Sequence, residues 1–119
     1  MSTIMIVDDA RFTRLRIVNL LTEQGYQVIE AKDGNEAVTT YQATKPDAVL
    51  MDFAMPGKNG MVALTEIRRF DPQARIIMLT ALGQKAIALR AMQAGAREFL
   101  LKPFDAKQLL AVLQKVLTS

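Results

Sequence analysis

Residues 48–60 read Ala48-Val49-Leu50-Met51-Asp52-Phe53-Ala54-Met55-Pro56-Gly57-Lys58-Asn59-Gly60. Four apolar residues without polar alternation end on a carboxylate, and a turn containing proline and glycine follows. An apolar run of this length suits a strand covered on both faces, the usual state of a strand in a parallel sheet. The same layout recurs along the chain. Ile4-Met5-Ile6-Val7 leads into Asp8-Asp9, Ile76-Ile77-Met78-Leu79 into Thr80, and Phe99-Leu100-Leu101 into Lys102-Pro103. Gln27-Val28-Ile29-Glu30 is a weaker run, with no comparable group after it.

The segments between the runs carry helix signals. Residues 11–23 space Phe12, Leu15, Val18 and Leu21 as one apolar face, and Gly25 follows as a C-cap. Asp33 with Glu36 reads as a capping box before Ala37, Val38 and Tyr41. Gly60 precedes a third helix with Val62, Leu64 and Ile67, ended by Asp71-Pro72. Residues 84–94 form a fourth, ended by Gly95, and Asp105 with Gln108 caps a fifth holding Leu109, Leu113, Val116 and Leu117. Five β-α repeats joined by right-handed crossovers make a doubly wound α/β sheet with helices on both faces. Ligand sites in such sheets lie beyond the carboxyl ends of the strands.

Composition narrows the chemistry. The 119 residues suit one domain. There is no Cys and no His, which removes disulfides, thiolate or imidazole metal sites, and every nucleophile that needs a histidine base. A bound metal must be held by oxygen, which favours Mg²⁺, Ca²⁺ or Mn²⁺. No apolar run approaches the ~20 residues that span a bilayer, and the start lacks a signal peptide's basic region, so a cytoplasmic protein is expected. The net charge is +3, with basic residues scattered rather than massed, and no recognition element for nucleic acid is visible.

Asp8, Asp9, Asp52, Thr80 and Lys102 are thus predicted to meet at one sheet edge. Singly, each has an ordinary explanation: a helix cap, a solvated charge, a turn. Jointly, they form an acidic, cation-seeking pocket of formal charge −2, and the remaining 14 basic and 9 acidic residues form a basic surface. Crowded carboxylates repel one another, and a hard divalent cation relieves the repulsion. A carboxylate beside such a cation can act as a nucleophile toward a phosphoryl group. A lysine and a hydroxyl can stabilise the charge that develops on the transferred oxygens.

These pieces resemble a response-regulator receiver domain, most closely the single-domain chemotaxis type. The resemblance rests on Ile6-Val7-Asp8-Asp9, on Leu50-Met51-Asp52 with Met55-Pro56 and Gly60, on Leu79-Thr80-Ala81, on Ala94-Gly95-Ala96, and on Phe99-Leu100-Leu101-Lys102-Pro103-Phe104. Intervals of 43, 28 and 22 residues separate Asp9, Asp52, Thr80 and Lys102. The resemblance covers essentially the whole chain and implies a flavodoxin-like (βα)5 fold. The five parallel strands would run in the order 2-1-3-4-5, for which the chemotaxis regulator is itself a standard example. It implies one receiver domain over residues 1–119 with no output domain.

By the same resemblance Asp52 is the phosphoacceptor, taking a phosphoryl group from a sensor histidine kinase. Asp9 and Asp52 hold Mg²⁺ with the Ala54 backbone carbonyl, and Asp8 acts through a metal-bound water. Thr80 and Lys102 contact the phosphoryl group, and the Lys102–Pro103 peptide is cis. Thr80 and Phe99 form a switch read out on the fourth helix, fifth strand and fifth helix. That face, rimmed by Lys85, Arg90, Arg97 and Lys107, is where a target protein or phosphatase binds, or where a phosphorylation-dependent dimer forms. Ala54 and Leu82 tune the phosphoryl lifetime, and their apolar character implies slow spontaneous loss.

The implied protein is a phosphoacceptor that assists its own phosphorylation and dephosphorylation rather than an enzyme with an external substrate. A relay intermediate serving a histidine phosphotransfer protein is the alternative within the family. A Mg²⁺-dependent aspartyl-phosphate phosphatase fits less well, because Asp8-Asp9-Ala10 lacks the Asp-x-Asp pattern after the first strand.

Overall fold

The computed structural model describes residues 2–81 and 83–119. Strands and helices alternate five times: β1 (Thr3–Val7), α1 (Arg11–Glu23), β2 (Gln27–Ala31), α2 (Gly34–Thr44), β3 (Ala48–Asp52), α3 (Gly60–Phe70), β4 (Ile76–Ala81), α4 (Lys85–Gln93), β5 (Glu98–Lys102) and α5 (Ala106–Leu117). All strand pairs are parallel, and the sheet order is β2-β1-β3-β4-β5. This is the flavodoxin-like arrangement expected from the sequence. The apolar runs form strands because both faces of the central strands are covered. β3 is buried along its whole length, whereas the edge strand β5 is half-buried throughout.

Strand alternation divides the core in two. Met5, Val7, Val49, Met51, Ile76 and Met78 face α2, α3 and α4, which contribute Ala37, Tyr41, Ala63, Leu64, Ile67 and Ala91. Ile4, Ile6, Leu50, Ile77 and Leu79 face α1 and α5, which contribute Ile17, Leu21, Leu109, Leu113 and Val116.

The helix faces depart from expectation in two places. Phe12, 76% exposed, and Leu15 lie on the outside of α1, whose buried residues are Ile17 and Leu21. The reason is angular. At about 100° per residue, positions nine apart point about 180° away from each other, so Phe12 and Leu21 cannot share a face. Val62 of α3 is likewise exposed, and Ala63, Leu64 and Ile67 pack inward.

The caps follow local chemistry. Asp105 and Gln108 form the complete capping box of α5. Asp33 accepts from the Glu36 N–H, but the Glu36 carboxylate reaches back to the Lys32 N–H rather than that of Asp33. Gly25 lies one residue beyond the α1 cap, Gln24, at φ +90°. Gly60 is the first residue of α3, after the N-cap Asn59. A Cβ there would collide with the Asp52 carbonyl and the Phe53 Cα, so glycine lets the helix start directly against the end of β3.

Candidate functional site

Every sequence-predicted polar group at the sheet edge is carried by a strand end or the turn after it. Asp52 is the last residue of β3, Lys102 the last of β5, and Thr80 the penultimate residue of β4. Asp8 and Asp9 follow β1 directly. Thr80 remains within the strand, and the N-cap position of α4 falls to Gln84, which makes no side-chain cap hydrogen bond.

The structure brings the acidic groups together. Asp8, Asp9 and Asp52 each present an oxygen to one cluster, with all three atoms within 4.8 Å of one another. Asp8 and Asp52 are buried and Asp9 is exposed, so the cluster opens to solvent on the Asp9 side. Lys102 reaches in from β5, its Nζ 3.0 Å from Asp52 Oδ1 and 3.7 Å from Asp8 Oδ2. The Lys102–Pro103 peptide is cis.

Two atoms of this edge are buried without a hydrogen-bond partner among the described residues, Thr80 Oγ1 and Asp8 Oδ2. Buried polar atoms in folded proteins are nearly always satisfied, so this edge has unmet capacity for a polar group or ion. Burial pushes the Asp52 carboxyl above its ordinary range. The Lys102 ammonium pulls it back, and the charges of Asp8 and Asp9 push it further up. A carboxylate held at this disadvantage binds a proton more tightly than usual, and a cation at the site would relieve it.

Phe99 is half-buried on β5, opposite Met78, and packs against the core beneath α2, α3 and α4. Ala54 is exposed in the β3–α3 turn. Leu82, singled out with it, lies outside the described residues.

One contribution escaped the sequence reading. β2 does supply a charged group at the edge: Glu30, whose carboxylate pairs with Arg14 of α1 at 2.9 Å. Arg14 in turn donates through Nη1 to the backbone carbonyl of Asp8 at 2.8 Å. Its only sequence signal was a carboxylate near the end of an otherwise apolar run.

A parallel five-stranded sheet with three carboxylates, a lysine and a hydroxyl at its carboxyl edge has the form of a receiver domain. Residues 4–114 match the model of the response regulator receiver domain, and the chain belongs to that family. It is the receiver domain of a CheY-like response regulator in two-component signalling. The chain is 46% identical to the chemotaxis protein CheY of Bacillus subtilis over 115 residues, 96% of each chain. It is 45% identical to the chemotaxis protein CheY of Thermotoga maritima, over 95% of each. Among solved structures, a response regulator receiver domain protein of Clostridium thermocellum superposes with a TM-score of 0.95 at 30% identity, covering 99% of this chain and 95% of the other. The chemotaxis protein CheY4 of Vibrio cholerae superposes at 0.91 and 30% identity, over 98% of both. Among the described residues, no helix is long and apolar enough to cross a membrane.

Proposed function

We propose that this chain is a phosphorylation-operated switch in which Asp52 accepts a phosphoryl group from a phosphohistidine of a sensor kinase. The observation that carries the reading is the 3.0 Å contact of Lys102 Nζ with Asp52 Oδ1 beside the gathered carboxylates. A carboxylate oxygen of Asp52 forms the new bond to phosphorus, the phosphorus–nitrogen bond of the donor breaks, and the released imidazole nitrogen takes up a proton. Burial leaves the Asp52 anion poorly solvated and so more nucleophilic. Lys102 orients that anion before transfer and can follow the negative charge onto the phosphoryl oxygens afterwards. Thr80, whose hydroxyl has no hydrogen-bond partner among the described residues, donates to the same oxygens.

The donor set fits a hard divalent cation, since its acidic ligands are all carboxylates and Asp8 Oδ2, without a hydrogen-bond partner among the described residues, is available to a metal-bound water. Asp9, Asp52 and the Ala54 carbonyl would hold Mg²⁺ or Mn²⁺ directly, and Asp8 through water. When bound, the cation supplies charge neutralisation to the transferring phosphoryl oxygens.

The readout surface is α4-β5-α5. Leu89 of α4 is 49% exposed there, β5 is half-buried, and Phe99 links this face to the core beside Met78. Its partner is a target protein or phosphatase in the cytoplasm, with chemotaxis favoured by the near-complete coverage of the CheY relatives. The test is incubation with acetyl phosphate and Mg²⁺. An intact-mass gain of one phosphoryl group, absent in Asp52→Asn, supports the reading, and no gain in the wild type rejects it.

A further inference from the structure

Asp8 is fixed at three points. Its N–H donates to the Ala31 carbonyl at 3.2 Å, its Oδ1 accepts from the Ala10 N–H at 2.8 Å, and its carbonyl accepts from Arg14 Nη1 at 2.8 Å. Only Oδ2 is left over, buried and facing Lys102. Arg14 is itself anchored, with its side chain 14% exposed and its Nε 2.9 Å from Glu30 Oε1. The turn needs such a hold. The N-cap of α1 is Ala10, which offers no side-chain cap, and the first turn holds no acidic residue. The turn it leaves uncapped carries two of three mutually repelling carboxylates.

A cation near a cation-binding pocket works against uptake unless its charge is balanced. Glu30 balances it. A guanidinium can bond a carboxylate with one N–H and a carbonyl with another in a single planar fork, which a lysine ammonium cannot reproduce. We propose that Arg14 is a positioning residue: anchored on Glu30, it grips the Asp8 carbonyl and holds the β1–α1 turn in the shape that takes up the divalent cation. This rests on the functional reading above.

The test is Mg²⁺ titration calorimetry on the full chain, comparing wild type, Arg14→Met, Arg14→Lys and the charge-conserving Arg14→Met/Glu30→Gln. Partners that orient metal ligands typically change affinity by ten- to a hundredfold, so the double variant is expected to bind Mg²⁺ roughly tenfold more weakly. Arg14→Lys recovers part of the loss. Amide exchange at Ala10 in Mg²⁺-free protein speeds up, while exchange in β1 is unchanged. If Arg14 acts only as a charge, Arg14→Met binds Mg²⁺ more tightly and the double variant matches wild type; either result overturns the proposal. If the double variant does not fold, an Arg14→Lys affinity equal to wild type overturns it instead. A wild type that takes up no Mg²⁺ rejects the functional reading, and Ala10 exchange then decides the brace by itself.

Discussion

At the scale of single residues, the site is assembled against stability. Asp52 has its proton affinity raised by burial, so the folded chain holds that proton more tightly than the unfolded chain does. A raised carboxyl stabilises the fold below the unfolded value of about 3.9, and the contribution is lost as pH rises through the folded value. Asp52→Asn, neutral at every pH, is therefore expected to unfold at higher temperature than wild type at pH 7. The gain should fade as the pH approaches 4, as followed by circular dichroism with Mg²⁺ chelated. An unchanged difference across that range would contradict the burial argument. Thr80 makes a parallel case. Its buried hydroxyl has no partner among the described residues, and an unpaired buried hydroxyl is a net cost. Thr80→Val should keep or gain up to about 1 kcal/mol in urea unfolding while slowing phosphoryl acceptance. A loss of stability would mean that the hydroxyl is bonded in the resting protein.

Between elements, two contacts set how helices meet the sheet. Tyr41 of α2 is buried and donates through its hydroxyl to Asp71 Oδ2 at 2.8 Å, just past the end of α3. That bond holds the Asp71 carboxyl below its usual range. A lowered carboxyl contributes stability above the unfolded value, and the contribution disappears as pH falls through the folded one. Tyr41→Phe is expected to cost about 1 kcal/mol at pH 7, roughly 4 °C in Tm, with the penalty shrinking below about pH 4. The glycines of the β3–α3 turn differ in what they demand. Gly57 sits at φ +72° with open space around its Cα, so Gly57→Ala meets only the left-handed backbone cost of about 1–2 kcal/mol. Gly60→Ala pushes a methyl into the backbone of Asp52 and Phe53, with an expected loss of about 2–4 kcal/mol and a displaced Asp52. Equal effects of the two substitutions in chemical denaturation would remove the close-approach explanation.

For the whole molecule, the proposed cation site would tie global stability to the cation concentration. A ligand that binds only the folded state adds about 2.7 kcal/mol at a concentration a hundredfold above its Kd. Mg²⁺ should therefore raise Tm in proportion to the logarithm of its concentration, and Asp9→Asn should flatten that dependence. The same titration in Asp71→Asn, at the opposite edge of the sheet, is expected to match wild type. A Mg²⁺ response surviving in Asp9→Asn would move the cation away from the proposed ligands.

Much of this protein is written locally. Short apolar runs, the capping box of Asp105 and Gln108, and the polar group after four of the five runs are properties of neighbouring residues. They determine element type and order, and with them the gathering of Asp8, Asp9, Asp52, Thr80 and Lys102 at one edge. The tertiary structure alone decided what depends on azimuth and on distant partners. Phe12 turned outward because a helix's rotation about its axis is set by its packing on the sheet. Position 60 has no room for a Cβ because α3 starts against the backbone of β3. The Arg14–Glu30 and Tyr41–Asp71 contacts join residues 16 and 30 positions apart, and no local periodicity encodes such meetings. They follow from where parallel strands and their crossover helices bring chain segments together in space.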